Sequence, residues 1–256
     1  MSASARRAAL AAAALAFLPS LALAQTTPLP AAKDLVAKHV VAIGGREAIL
    51  RHPFFRAKGT FGMPAAGMTG QLEVAAAQPN LVLVKITIPG MGDMLQGFDG
   101  TNAWSLDPMQ GPRLIEGEEL AQMADEAEFA SVLRESPSIA SMETTEIVTL
   151  GGQQCYKVKI VRKSGRETFD CYAVDSGLLI GGFAKQKTAM GEVDAVTEYS
   201  DYKEFNGIKQ PAKVTLTMMG QQQVMEFTSY EYGLIDAAAF TVPAPVATLI
   251  SQKPKN

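Results

Sequence analysis

What most constrains this chain is a long succession of short apolar, β-branched runs, each closed by a turn signal. Runs at 54–61, 70–77, 80–88, 94–98 and 102–107 are followed by others at 146–150, 154–162, 167–174, 178–187, 193–205, 214–219 and 222–232. Between them stand Asp99-Gly100, Gly151-Gly152, Ser164-Gly165, Asp175-Ser176-Gly177, Asn206-Gly207 and Gly220. Such residues supply the backbone conformations that tight antiparallel connections need. Strand following strand predicts a mainly β fold with an antiparallel sheet of roughly eleven or twelve strands, not a βαβ layout. Two stretches break the pattern. At 34–43, Leu35, Val36, His39, Val40 and Ile43 recur at helical spacing. At 118–134, Leu120, Met123, Ala127, Ala130 and Leu133 form one apolar stripe, with Glu119, Asp125, Glu126 and Glu128 elsewhere. Residues 237–240 allow a short helical turn.

The strands alternate. Tyr156, Val158 and Ile160 interleave with Lys157 and Lys159, and Val214, Leu216 and Met218 with Lys213, Thr215 and Thr217. One face is therefore wet and one apolar. A wide sheet of this kind must curl or be covered. Two amphipathic helices are few for that task, which hints at a hollow.

Residues 1–24 read as a cleaved export signal. Arg6 and Arg7 precede an apolar run at 8–18, and Ala22-Leu23-Ala24 supplies an A-x-A site. The run falls short of the roughly 20 residues that span a bilayer, and Gln25 after the site offers no thiol for lipid attachment. The domain division is 1–24 signal, 25–31 Thr/Pro-rich leader, 32–246 a single β domain and 247–256 a polar tail. No integral membrane segment is expected after cleavage, and the expected location is the bacterial periplasm. Loss of the two arginines deepens the formal net charge of −3. An acidic chain without a basic cluster argues against nucleic-acid binding.

The chain has 2 cysteines, Cys155 and Cys171. In an oxidising compartment an even count suggests a pair. They lie on the two arms of a hairpin turning at Lys163-Ser164-Gly165. A three-residue loop places Cys155 opposite Ala173 and diagonal to Cys171 on one face; a two-residue loop places the cysteines on opposite faces.

No G-x-S-x-G, H-E-x-x-H, C-x-x-C or phosphate-cradling glycine loop is present. His39 reads as a satisfied core or boundary histidine, not a ligand. Asp170, Asp175, Glu192, Asp194, Glu198 and Asp201 read as solvated strand positions. No cofactor and no metal are implied, and an enzyme is not expected. Of the 12 methionines all but Met1 follow the leader, and Met63, Met68, Met91, Met94, Met190, Met218, Met219 and Met225 lie in or beside strands. They are either core filler or an adaptable apolar wall, since thioether chains re-pack cheaply.

Two blocks carry a family resemblance. Asp99, Gly100, Trp104, Asp107 and Pro108 in "DGTNAWSLDP", and Gly70 to Val84 in "GQLEVAAAQPNLVLV", resemble the paired strand motifs of the LolA/LolB-like periplasmic lipoprotein-carrier family. The likeness implies an eleven-strand antiparallel half-barrel, or open barrel, lidded by two or three helices over an apolar cavity for acyl chains. It implies that Val82 faces the cavity, and Val84, Ile86 and Ile88 follow by alternation. The expected wall comprises these four with Trp104, Leu106, Tyr156, Val158, Ile160, Val214, Leu216 and Met218. Trp104 itself either lines the hollow or packs as core beneath the lid. The expected lid residues are Leu35, His39, Ile43, Leu120, Met123 and Ala127. The lipoprotein carriers place a lid-latching Arg just before the Pro-Asn; here that latch position is Gln78, an uncharged amide. The expected role is a periplasmic carrier that shelters a lipid, an acyl chain or a lipoprotein without covalent chemistry. The rivals are a partner-binding or envelope-sensor module with a filled pocket, working with envelope proteins, and an envelope hydrolase.

Overall fold

The computed structural model describes residues 28–188 and 191–252; the expected signal at 1–24 and Met190 lie outside them. Two helices, α1 (Ala32–Ala42) and α2 (Arg46–Arg51), lead into six strands. These are β1 (Phe54–Met63), β2 (Met68–Ala77), β3 (Leu81–Ile88), β4 (Gly92–Phe98), β5 (Ala103–Asp107) and β6 (Gly111–Ile115). Helix α3 (Gly117–Glu126) and a 3-10 turn (Ser131–Leu133) precede β7 (Ile139–Leu150), β8 (Gln153–Arg162) and β9 (Glu167–Ala173). Then come β10 (Leu179–Thr188), β11 (Gly191–Phe205), β12 (Ile208–Met218) and β13 (Gln221–Gly233), a 3-10 turn (Ala237–Phe240) and α4 (Ala244–Ser251).

Among the described residues all the strands form one open antiparallel sheet of 13, in the order β6-β5-β4-β3-β2-β1-β13-β12-β11-β10-β9-β8-β7. Every neighbouring pair is consecutive in sequence except β1 and β13, which join two meanders in the middle. The edges are β6 and β7. The count exceeds the expected eleven. Strand β6 went unread because its Gly111-Pro112 opening lacks a donor, a defect an edge strand tolerates. Strand β7 begins seven residues earlier than the apolar run suggests, with register shifts between Ile139 and Ser141 and between Thr144 and Glu146.

The sheet is strongly curved. Helix α3 packs against both β5 and β10, which stand eight strand steps apart. Laid flat, those steps span ~38 Å. A helix of 10 residues is only ~15 Å long. The two arms must therefore bend towards each other, and α3 bridges the mouth.

The stretch expected to be helical through 134 leaves the helix after Glu126. The N–H of Phe129 donates instead to the Pro79 carbonyl at 3.0 Å, which ties this loop to the β2–β3 turn. Residues 247–251, expected as tail, belong to α4, which packs on β5 and β6 with Val246 fully buried.

The inner face carries two packed regions. Leu35, Val36 and Val40 of α1, with Ile43 just after it, meet Leu133, Val158, Ile160 and Tyr172. Leu120, Met123 and Ala127 of the α3 segment meet Val82, Phe98, Ala103 and Ile115. The end of α1 is pinned to the sheet by the Lys209 N–H donating to the Ile43 carbonyl at 2.9 Å. Gly44, at φ 123°, comes so close that a Cβ there would overlap the Gly207 carbonyl.

On the outer face Cys155 and Cys171 are bridged, with Cα atoms 5.3 Å apart, beneath Leu150, Ala173 and Ile180. Cys155 pairs with Ala173 and Lys157 with Cys171, the diagonal arrangement expected for a three-residue loop. The bridge closes a loop of sequence separation 16. Replacing both cysteines by alanine is expected to cost about 3 kcal/mol by the loop-entropy relation. Denaturant unfolding of the oxidised protein against the double variant measures it.

Candidate functional site

Beneath α3 and the loop after it, the inner face is not filled. It holds two adjoining chambers that share Glu126, Ser131 and Val214 in their linings.

The first is apolar, with a volume of ≈ 390 Å³, at the lower end of the ~300–1,000 Å³ typical of small-molecule sites. Its floor is made of inward-facing residues of β1, β2, β3, β12 and β13, including Ala57, Val74, Val82 and Val214. Aromatic rings make much of the remaining wall. Phe55 lies 5.7 Å from Phe129 and 5.9 Å from Tyr230, and Phe227 lies 5.4 Å from Tyr230, between centroids. Phe129 comes from the loop tied to Pro79, so the lid places its ring directly against the wall. The Gln210 amide donates to the Tyr232 hydroxyl at 3.2 Å. Burial pushes the Tyr230 and Tyr232 phenols up from their ordinary value, so both stay neutral.

The second chamber, ≈ 370 Å³, is polar. Arg134 follows the 3-10 turn in the left-handed region, at φ 52°. Its guanidinium grips Asp170 of β9 with two bonds of 2.8 Å and also donates to the Ser131 carbonyl. Tyr172 donates to the same carboxylate at 2.9 Å. Burial, and then Asp170 beside it, raises the Tyr172 phenol well above its ordinary value, so it remains a donor. Asp170 is therefore not the solvated strand residue expected from the sequence but half of a buried ion pair, on the same face as its cross-strand partner Val158. Arg162 and Arg166 line the same chamber and pair with Asp125, at 3.1 and 3.6 Å, while Arg166 also meets Glu126 at 2.9 Å. Among the described residues the Nε atoms of Arg162 and Arg166 are buried without a hydrogen-bond partner.

The lid is held at both arms by polar ties. Arg113 of β6 forms a two-pronged bond with Glu119 at 2.8 and 2.7 Å, which holds the Glu119 carboxyl below its ordinary range. Across the mouth, the Lys187 N–H donates to the Gln122 side-chain carbonyl at 3.0 Å, Gln122 reaches Gln186, and Lys187 meets Glu118 at 2.9 Å. At the position before the Pro-Asn, the tie runs through the backbone carbonyl of Pro79 rather than through the side chain of Gln78. The charged fastening of the lid loop is Arg134–Asp170, on the opposite arm of the sheet.

The expected wall residues divide four ways. Val82 and Val214 line the apolar chamber, Val214 and Leu216 the polar one. Val84, Ile86, Ile88 and Met218 share their inward-facing rows. Tyr156, Val158 and Ile160 are also inward, but Val158 and Ile160 are sealed under α1 as core, with Tyr156 packed against them. Trp104 and Leu106 are a correction. Ala103 pairs with Phe98 across the Asp99 turn and both face inward, so alternation sends Trp104 and Leu106 outward. Trp104, 2% exposed, lies over Gly97 on the outer face, near Leu83 and Phe240, on the strand that α4 covers. It is core, but not under the inner lid.

Of the expected lid residues, Ile43 and Ala127 line the apolar chamber. Leu120 and Met123 pack on the Phe98–Ala103 cluster, and Leu35 and His39 are buried on the sheet-facing side of α1. His39 accepts the Leu179 N–H through Nδ1 at 3.0 Å. Phe55, Phe129, Phe227, Tyr230 and Tyr232 were not among the expected wall residues. Tyr230 and Tyr232 alternate in phase and could have been read, but the register skips Thr228 opposite Lys58–Gly59, which puts Phe227 inward against simple alternation. Among the described residues no cluster of His, Cys, Asp or Glu could hold a metal ion, and no helix is long and apolar enough to cross a membrane.

This geometry, a curved antiparallel sheet with a helix across its mouth, is the LolA-like fold, as expected from the two sequence blocks. The chain is similar to a LolA superfamily protein from Nitrosomonas europaea, with TM-score 0.56 and 12% identity over 84% of this chain and 99% of that one. It is similar to a DUF1329 family protein from Desulfovibrio piger, with TM-score 0.55 and 14% identity over 82% and 98%. An outer membrane lipoprotein-sorting protein domain from Vibrio parahaemolyticus gives TM-score 0.54 and 9% identity over 81% and 95%. No protein-family model and no curated protein matches the sequence.

Two outcomes test the fastenings. His39 is 2% exposed, and burial lowers its pKa from 6.5 to about 4. Asp170 opposes that shift and Arg134 adds to it. The unfolded chain thus takes up a proton that the folded protein refuses. Stability present above pH 6.5 is expected to fall by about 3 kcal/mol as the pH drops towards 4. Denaturant midpoints across that range should show a shallower slope in His39→Gln. Arg134→Met alone leaves Asp170 buried and uncompensated, at an expected cost of about 3–5 kcal/mol. The double variant Arg134→Met/Asp170→Asn should recover a large part of that loss in the same unfolding assay.

Proposed function

We propose that the protein is an exported, periplasmic carrier that holds an acyl or lipid-like ligand non-covalently in the apolar chamber. The observation that carries this reading is the unfilled, aromatic-lined hollow between Phe55, Val82, Val214 and Tyr230, under a lid whose fastenings are polar and placed at its margins. Burying hydrocarbon there gains about 25 cal/mol per Å² removed from water, which lets such a pocket compete with a membrane or micelle. The fold likeness to an outer membrane lipoprotein-sorting domain supports the same reading. So does the disulfide, which suits an oxidising compartment. The adjoining polar chamber suits the headgroup end of an amphiphile, with the Tyr199 hydroxyl and the arginines around it. On this reading release requires the lid to lift, which breaks the Gln122 and Glu119 ties of α3 together with the Phe129–Pro79 and Arg134–Asp170 fastenings of the loop after it. The protein's own groups bind and shelter; no residue is assigned a covalent step.

Native mass spectrometry with organic extraction of protein purified from an envelope fraction is expected to find bound lipid. In vitro, a fluorescent fatty acid should be taken up saturably. Val214→Trp, which fills the junction of the two chambers, should weaken that uptake by about tenfold or more, equivalent to about 1.4 kcal/mol. Absence of lipid on extraction, together with no uptake, would overturn the carrier reading in favour of a partner-binding module.

A further inference from the structure

Along the eight strands from β6 to β12 the two ends of the sheet differ in chemistry, whereas the β8–β9 tip further along the methionine end carries Lys163 and Arg166. The register places the β1–β2, β3–β4, β5–β6 and β12–β13 hairpin tips at the same end, along eight adjacent strands from β6 to β12. Each of these tips carries methionine: Met63 and Met68, Met91, Met109, and Met219. Met109 is 78% exposed and Met219 68%. The tip segments read Met-Pro-Ala-Ala-Gly-Met, Pro-Gly-Met, Pro-Met-Gln and Met-Gly, with no charged residue. The acids that flank them are engaged. Asp93 meets Lys85 at 2.8 Å and accepts from Thr87, while Asp107 accepts the N–H groups of Met109 and Gln110. The opposite end of the same strands turns through Gln78-Pro79-Asn80, Asp99-Gly100-Thr101-Asn102 and Asn206-Gly207, without methionine. Exposed Leu234 and Ile235 at that end sit on one segment beside Asp236.

Ordinary core packing does not explain methionines at hairpin tips, where turn chemistry favours small polar residues. Nor do they converge on a pocket. Eight neighbouring strands spread the tips over an arc of ~34 Å, a span suited to a surface. The inward rows lead to them. Val82, Val84, Ile86 and Ile88 run up β3 towards Met91, and Val214, Leu216 and Met218 run up β12 to Met219. The same rows begin in the apolar chamber.

We propose that this methionine-tipped rim is a docking edge for a lipid surface, the place where a hydrophobic ligand enters or leaves the chamber. The proposal rests on the carrier reading above. Flexible, polarisable thioether chains conform to an irregular apolar boundary such as the headgroup–acyl border. The absence of charge on the tips makes the contact indifferent to lipid charge and to salt.

The test is flotation with unilamellar phosphatidylcholine vesicles, using protein recovered from the soluble envelope fraction of expressing cells. The protein should float with the vesicles equally at low and high salt. The triple variant Met91→Gln/Met109→Gln/Met219→Gln should lose about tenfold in vesicle partitioning and keep its uptake of a fluorescent fatty acid measured without vesicles. That retained uptake also shows that it is folded. Leu234→Gln/Ile235→Gln should float like the parent. Failure of the parent to float, undiminished flotation of the triple variant, or loss in the Leu234/Ile235 variant would overturn the docking edge. Uptake without flotation removes the rim proposal and leaves the carrier standing. Flotation that depends on the rim, without any uptake, overturns the carrier and supports the rim as a membrane contact.

Discussion

The pairing of β1 with β13 is the constraint on which the rest of the structure depends. It puts the beginning and the end of the strand sequence side by side in the centre of the sheet. The two meanders then grow outward, and their last members, β6 and β7, become opposite edges. The chain must still run from one to the other. The connection between them, α3 and the loop after it, has no route except across the sheet. It crosses the inner face and so becomes the lid. The short span of α3 in turn demands curvature, because a helix of 10 residues cannot touch both arms of a flat sheet. Hollow, lid and bend thus follow from one ladder of hydrogen bonds.

Division of labour along the inner face follows from what covers it. Where α1 lies, apolar side chains are sealed into core, and His39 is kept neutral among them. Where the lid loop lies, the cover is thinner and fastened by charge. The Arg134–Asp170 pair is a costly device for stability, since each partner loses water on burial. It offers direction instead: a bidentate grip with a Tyr172 donor fixes where the loop after α3 comes down. The backbone bond from Phe129 to Pro79 fixes the other side of that loop. With both points set, the Phe129 ring can only face the aromatic wall.

Much of this was legible before the fold was seen. Val214, Leu216 and Met218 alternate with Thr215 and Thr217, so a period-two reading separated their face; in β3, where Leu83 stands between Val82 and Val84, the inward phase came from the family resemblance. The cysteine diagonal was one of two arrangements the sequence left open, and the register of β8 with β9 selects the three-residue loop. Other features were not readable, for particular reasons. Trp104 turned outward because the phase of β5 is set across the Asp99 turn by the Phe98–Ala103 pair, and no local pattern reveals which member starts the count. Phe227 is hidden by the bulge at Thr228. Asp170 looks like any strand carboxylate until Arg134, far away in sequence, is brought onto it. The helix after Pro112 was over-extended because an apolar stripe continues past Glu126, while a tertiary hydrogen bond at Phe129 ends the helical ladder.

The free edges carry a last consequence. An open sheet offers unpaired donors and acceptors along two strands, and one copy's β6 could in principle extend the next copy's β7 into a filament. Both strands are built against it. Pro112 deletes a donor from β6, and the paired irregularities around Ser141 and Glu146, with Glu143 between them, break the straight ladder of β7. A sheet left unclosed at both ends is thereby kept from extending itself, strand upon strand, with its own kind.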